Sequence, residues 1–253
     1  MKKNRNNANG NSVLPTVFYQ QLQPDSSQFT EKILPILQHS YLDPASQECF
    51  QYNSAVLVKN STLLKEYNTF HSQKKKKGYS PEELERSFAF LLFESESQVK
   101  TVCQSGLNVG NSNISTLGNP AKGVYLSKYS DYLHPRPWYH GKSGYIVIFR
   151  IIKKKKRKKL HCPCPVRNTV QKSTANKTNF TNPSPGFDCH VAINSSKVSP
   201  ATSHFQAFEL TQYYMYDSDI TAQRPRQVCP YATVSFQYNE PKCIMSTFER
   251  KEM

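Results

Sequence analysis

The chain has no apolar run approaching the ~18–20 residues that a bilayer span requires. No apolar segment follows the basic start MKKNRNNANGNS either, so neither a membrane span nor an export signal is expected. Cysteine is present without a framework: seven residues at irregular spacing, which in a chain without an export signal read as reduced thiols. The five Asn-x-Ser/Thr sequons, at Asn60, Asn113, Asn176, Asn179 and Asn194, then carry no meaning. There is no internal repeat, no phosphate loop of the P-loop kind and no Ser/His/Asp signature. Acidic residues are missing from one region in particular. Of the 33 Lys and Arg, 13 fall between Tyr132 and Phe187, where there is no Asp or Glu, and the other 20 face 18 acidic residues. The formal charge of +15 therefore describes a nearly neutral domain with a cationic insert.

Hydrophobic residues make up 37% of the chain, enough for a core because the polar residues concentrate at the N-terminus and in much of 153–199. Both stretches read as disordered. Between them, residues 54–59 (SAVLVK) read as a strand. Leu63, Leu64, Tyr67 and Phe70 then recur at helical spacing, ending in Lys74–Lys77 and Gly78. Cations in the last turn complement the exposed carbonyls, and glycine accepts a left-handed cap. Ser80-Pro81-Glu82-Glu83 is a capping box with proline at the first helical position, and it predicts a second helix leading into the strand FAFLLF at 88–93. A helix is expected over 97–105, stopped by Gly106.

Strands are expected at Gly123–Leu126, Gly144–Ile152, Phe187–Val191, Phe205–Tyr216 and Tyr231–Tyr238. GYIVIFRII is apolar on both faces, which places it centrally in a sheet. Strands outnumber helices and the connections are irregular, so the fold class is α+β with a mainly antiparallel sheet.

Four blocks in order carry a resemblance: GYSPEELERSFAFLLF, CQSGLNVGNSNISTLGNPAKGVYLSKYSDYL, GFDCHV and RPRQVCPYATVSFQY. They are similar to the poly(ADP-ribose) polymerase (PARP) fold, and most closely to the pseudo-PARP branch of the TASOR family and its testis-expressed relatives. The resemblance covers roughly residues 50–240 without the basic insert. It implies a pseudo-PARP domain over 41–240, with a mostly disordered segment at 1–40, a disordered basic insert at about 153–185 and a polar tail at 241–253.

In the active members of that fold a histidine–glycine pair grips the ribose and the nicotinamide amide. A tyrosine stacks on the nicotinamide, and a glutamate stabilises the positive charge developing on the ribose. Only the tyrosine is matched here, as Tyr125; Phe93 or Glu94 stands at the histidine position and Pro230 at the glutamate position. A bulky Phe93 or a carboxylate there would fill the slot or repel the NAD phosphates. The resemblance thus implies an inactive interaction module with no NAD, other cofactor or small-molecule substrate. Its expected partners are proteins of a nuclear silencing complex that acts on transposons, with the germ line as the expected setting. The alternative, an active mono-ADP-ribosyltransferase with a rearranged pocket, needs a carboxylate facing Tyr125. Glu94, Glu96, Glu209 and Glu240 are the candidates, and a surface position is the plainer reading of each.

The run Lys153, Lys154, Lys155, Lys156, Arg157, Lys158 and Lys159 suits a nuclear-import receptor or nucleic-acid phosphates. It lacks the interleaved aromatics that stack bases. His161, Cys162, Cys164, Cys189 and His190 do not have a common zinc spacing, so no metal site is expected.

Overall fold

The computed structural model describes residues 17–134, 143–152, 182–183, 186–191, 208–217 and 223–239. The run Lys153–Lys159, the cysteines at 162 and 164, Glu240 and the tail at 241–253 lie outside the described residues. Among the described residues, eight strands form one sheet in the order β1-β2-β8-β5-β3-β4-β7-β6, with every neighbouring pair antiparallel. They are β1 (Val17–Leu22), β2 (Phe50–Asn60), β3 (Arg86–Phe93), β4 (Val124–Ser127), β5 (Ser143–Ile152), β6 (Cys189–Val191), β7 (Gln212–Met215) and β8 (Val228–Tyr238). The fold is α+β, as the patterning predicts.

β5 stands between β8 and β3, where its two apolar faces are both covered. Its even-numbered residues Ile146 and Ile148 join Phe90, Tyr125, Val234 and Phe236 on the first face. Its odd-numbered Val147, Phe149 and Ile151 join Ala89, Val124, Leu126 and Met215 on the second. The period-two alternation of an extended chain thus feeds two cores from one strand. Each buried side chain of this size contributes about 1.5–3 kcal/mol relative to exposure.

Helices close both faces. On the first, α1 (Ser27–Lys32) and α2 (Leu34–Gln38) insert Phe29 and Leu37, and Ile33 between them is buried in the same cluster. α3 (Ser46–Cys49) follows and leads into β2. On the second face, α5 (Glu96–Ser105) contributes Val99 and Cys103, and at one end of the sheet α4 (Ser61–Lys76) packs Leu63, Tyr67 and Phe70 against Ile152 and Cys229. Lys74, the buried member of α4's cationic end, pairs with buried Asp188 at 2.8 Å and so ties the helix to the segment entering β6. Gly78 takes φ +82° just past that helix, in the left-handed region expected for its cap.

Four expectations are corrected. Residues 17–40 are not a disordered lead: β1, α1 and α2 supply an edge strand and core side chains. The capping box at 80–83 does form, with Glu83 Oε2 accepting from Ser80 N at 2.8 Å and Ser80 Oγ accepting from Glu83 N at 3.3 Å. It closes a turn and no helix follows, because β3 begins at Arg86 and pairs with β5 through Phe93. Too few residues remain to recover the cost of nucleating a helix. Among the described residues of 205–216, 208–210 are helical and the strand is β7, while the strand expected at 187–191 begins at Cys189.

Candidate functional site

The turn GNPAKG, residues 118–123, enters β4 through a short 3-10 helix (Pro120–Lys122). Proline at its first position fixes φ, and Asn119 Oδ1 accepts from Ala121 N at 3.0 Å. A glycine turn opening onto a strand is the shape that cradles a phosphate or a nicotinamide. Here the cradle is occupied by the protein itself.

The occupant is Tyr214 of β7, which is fully buried. A Cβ on Gly118 would lie 2.2 Å from Tyr214 Cε1, and one on Gly123 would lie 2.6 Å from Cε2. Both glycines are therefore required by close approach of a ring to the backbone. The Tyr214 hydroxyl donates to Asn119 O at 2.8 Å, so the ring is pinned at its tip as well as along its faces.

Tyr125 lies directly beside it, its ring centroid 5.0 Å from that of Tyr214 and its side chain 1% exposed. Its hydroxyl accepts from Gly118 N at 2.8 Å and donates to Gly118 O at 2.7 Å. Asn111 clamps the Tyr125 backbone from the other side, donating to its carbonyl at 2.8 Å and accepting from its N–H at 2.9 Å. Burial pushes the Tyr125 phenol well above its ordinary range, more than its hydrogen bonds to the turn pull it down.

His190 of β6 and Tyr216 complete the cluster. His190 Nδ1 is 2.7 Å from Leu117 O, a pure acceptor, so Nδ1 carries the proton and Nε2 accepts from Tyr216 Oη at 2.9 Å. Desolvation holds this imidazole below its usual range, with the Leu117 carbonyl opposing the shift. His190 is thus a neutral spacer with both nitrogens engaged, and its ring packs against Tyr216 at 4.9 Å and Tyr214 at 5.5 Å. Cys189 and His190 are spent within the protein; among the described residues no group of three His, Cys, Asp or Glu is placed to hold a metal ion.

The four positions singled out from sequence do not meet in one slot. Phe93 pairs with Tyr145 and packs in the second-face cluster, on the opposite side of the sheet from Tyr125. It does not fill space in front of Tyr125; on β3, Phe88, Phe90 and Leu92 share that face. Glu94 is exposed beyond the end of β3. Pro230 is buried and pairs with Phe149, a second-face residue, and Tyr231 is the extra residue of a bulge there. The bulge tolerates a residue without an N–H.

Among the candidate carboxylates, Glu96 is exposed on α5 and bonds Lys100 one turn on at 2.9 Å. Glu209 is half-buried, bonded to Thr116 and near enough to raise the Tyr125 phenol slightly. Burial pushes its carboxyl up to about 7, against the pull of Thr116. A separate groove of about 490 Å³ lies on the second face beside α5, floored by Ser54, Val56, Thr233 and Ser235, away from Tyr125.

Sequence reasoning missed Tyr214, Tyr216 and Asn111. The signal was the pair of glycines itself: two in one turn imply a bulky neighbour pressed on the backbone, yet they do not say which residue supplies it.

Comparison with known proteins places this geometry. A family profile described as "Protein of unknown function (DUF3715)" matches residues 73–230. The chain is 41% identical over 235 residues to Protein TASOR of Homo sapiens, covering 90% of this chain and 14% of that protein. It is equally 41% identical to Protein TASOR of Mus musculus over 88% of this chain and of Xenopus laevis over 83%, spanning 14% and 13% of their lengths. Among solved structures, the crystal structure of the TASOR pseudo-PARP domain superposes with a TM-score of 0.73 at 39% identity, covering 88% of this chain and 99% of that one.

Proposed function

This chain belongs to the DUF3715 family and has the pseudo-PARP fold of TASOR, and from that premise we propose that it is a catalytically inactive interaction module. The observation that supports the reading is Tyr214, which fills the cradle formed by Gly118 and Gly123. A nicotinamide approaching Tyr125 would have to displace a buried ring and break its bond to Asn119. The chain also offers no histidine–glycine pair at the end of β3 and no glutamate at Pro230. Losing one such group costs a few orders of magnitude in rate, and two leave little catalysis.

What the domain presents instead is shape. Its partners are proteins of a nuclear complex that silences transposons, by extension from the TASOR family, with the germ line as the setting. Nuclear entry is assigned to Lys153–Lys159. Since the chain spans about one seventh of its curated relatives, activities of their other regions do not transfer to it.

Glu209 is the one observation that favours an active transferase, being a carboxyl raised to about 7 near Tyr125. Incubating the full chain with labelled NAD and nuclear extract separates the readings. The module adds no label beyond that seen with extract alone, whereas additional label that disappears in Glu209→Gln and Tyr125→Ala overturns it. Affinity purification from germ cells, with a chain lacking residues 50–240 as control, then identifies partners. A partner set unchanged by that deletion also counts against the module.

A further inference from the structure

The end of the sheet covered by α4 carries cations that the fold does not neutralise. Arg224 and Arg226 nearby are paired, with Glu66 and Asp217 respectively. Lys75, Arg86 and Arg150 have no ion-pair partner among the described residues, and Lys75 and Arg86 are exposed. The nearby acids are limited. Glu83 is occupied in the capping box, Glu85 has its own contact, and Glu82 is exposed.

Register puts these cations together. Arg86 is opposite Ile152 and Phe88 is opposite Arg150 in the β3–β5 ladder, while Arg150 is opposite Cys229 of β8. Residues two apart on a strand share a face, so Arg86, Phe88 and Arg150 project to one side. Half-buried His71 of α4 senses the charges of both Arg86 and Lys75, and these add to the desolvation that chiefly lowers its imidazole. The stripe therefore runs from α4 across β3 to β5 and β8.

Aromatic rings alternate with the cations along it. The Arg150 guanidinium lies 4.2 Å from the ring centroid of Tyr231, and Arg86 lies 5.8 Å from that of Tyr67. Phe88 packs against Tyr231 at 5.5 Å, and both rings are half-buried, leaving part of each accessible. Tyr231 is the bulge residue of β8, and a bulge re-aims the side chain it carries. A guanidinium stacked on a partly exposed ring gives a flat platform with positive charge, and bases stack on such surfaces at about 1–3 kcal/mol each. An acidic peptide would be served by the charges alone and has no use for the rings.

We propose that Lys75, Arg86, Arg150, Phe88 and Tyr231 form a binding face for single-stranded nucleic acid, with the cations on the phosphates and the Tyr231–Arg150 pair under a base. The face is distinct from the run Lys153–Lys159, although in sequence β5 leads from Arg150 and Ile152 directly into that run. It does not depend on the inactive reading of the Tyr125 cluster.

The test uses the full chain with the run intact and fluorescence anisotropy on a labelled single-stranded RNA, a matched duplex and polyglutamate. Lys75→Ala/Arg86→Ala weakens single-strand binding several-fold and lowers the slope of log affinity against log salt by about 1.4, about 0.7 per lost phosphate contact. Tyr231→Leu, which keeps an apolar side chain in the core, weakens the single strand at least threefold and leaves the duplex unchanged. If the variants bind RNA as the parent does, the run alone carries binding and the proposal is overturned. Polyglutamate binding as tight as RNA, with Tyr231→Leu affecting neither, assigns the face to acidic peptides and also overturns it.

Discussion

Tyr214 and the two glycines beneath it make a claim that substitution checks directly. Gly118→Ala places a methyl 2.2 Å from a buried ring and is expected to destabilise the fold by about 1–3 kcal/mol, the range of overpacked cores. Tyr214→Ala alone leaves a cavity and costs about 3–5 kcal/mol. Together they should be markedly less than additive, since the methyl then enters the space the ring has left, and urea unfolding of the four species reads the coupling. Full additivity would mean that the glycines serve something other than Tyr214. Tyr125 was visible in the sequence as an aromatic in a strand after a glycine turn, but its hydroxyl's return to Gly118 depends on a fold that brings β7 alongside β4.

Asp131 gives a second check at the same level. It is buried, and its carboxylate accepts from Leu42 N, Asp43 N and Ser46 Oγ at 2.7–2.9 Å, joining the segment before α3 to the segment after β4. Burial nevertheless pushes its carboxyl up to about 6, and the three donors only partly offset that. A folded pKa above the unfolded 3.8 means that the folded state holds the proton longer. Asp131's contribution is thus complete below about pH 4 and declines as pH rises through about 6. Asp131→Asn should be clearly less stable than the parent at pH 4, with the gap narrowing by pH 7 in thermal unfolding. A gap that widens would reverse the assignment.

Among the elements, Asn60 joins three at once. It ends β2, its Oδ1 caps α4 by accepting from Leu63 N at 3.1 Å, and its Nδ2 donates to the last carbonyls of α5, Cys103 O at 3.1 Å and Gln104 O at 2.7 Å. Its 2% exposure also removes the sequon at Asn60 from use in the folded protein. Asn60→Ala should cost about 2–3 kcal/mol, a lost cap with buried carbonyls left unpaired. Asn60→Asp keeps the cap but loses both donors, so it should not restore stability in urea unfolding. α4 was legible because its apolar spacing, cationic end and glycine stop agree. Its cap was not, since Asn60 and Ser61 are both good capping residues and only the helix start distinguishes them. The capping box at 80–83 shows the opposite case: the local signal was read correctly, but pairing of β3 with β5 outweighed it.

For the whole molecule, composition revealed the segregation of charge, and a run apolar on both faces revealed that β5 is central. The strand order stayed hidden, because β8, last in sequence, fits between β2 and β5, and such long-range pairings leave no local trace. For the same reason Phe93 and Pro230 could be aligned with a pocket yet face away from Tyr125. The domain keeps the pseudo-PARP framework, and its own Tyr214 fills the cradle between Gly118 and Gly123. Titration of the full chain with NAD by isothermal calorimetry tests this. With Tyr214 in place, no saturable heat should appear, and a nicotinamide mimic should change nothing. Stoichiometric binding of NAD, competed by the mimic, would show that the cradle is open to ligand.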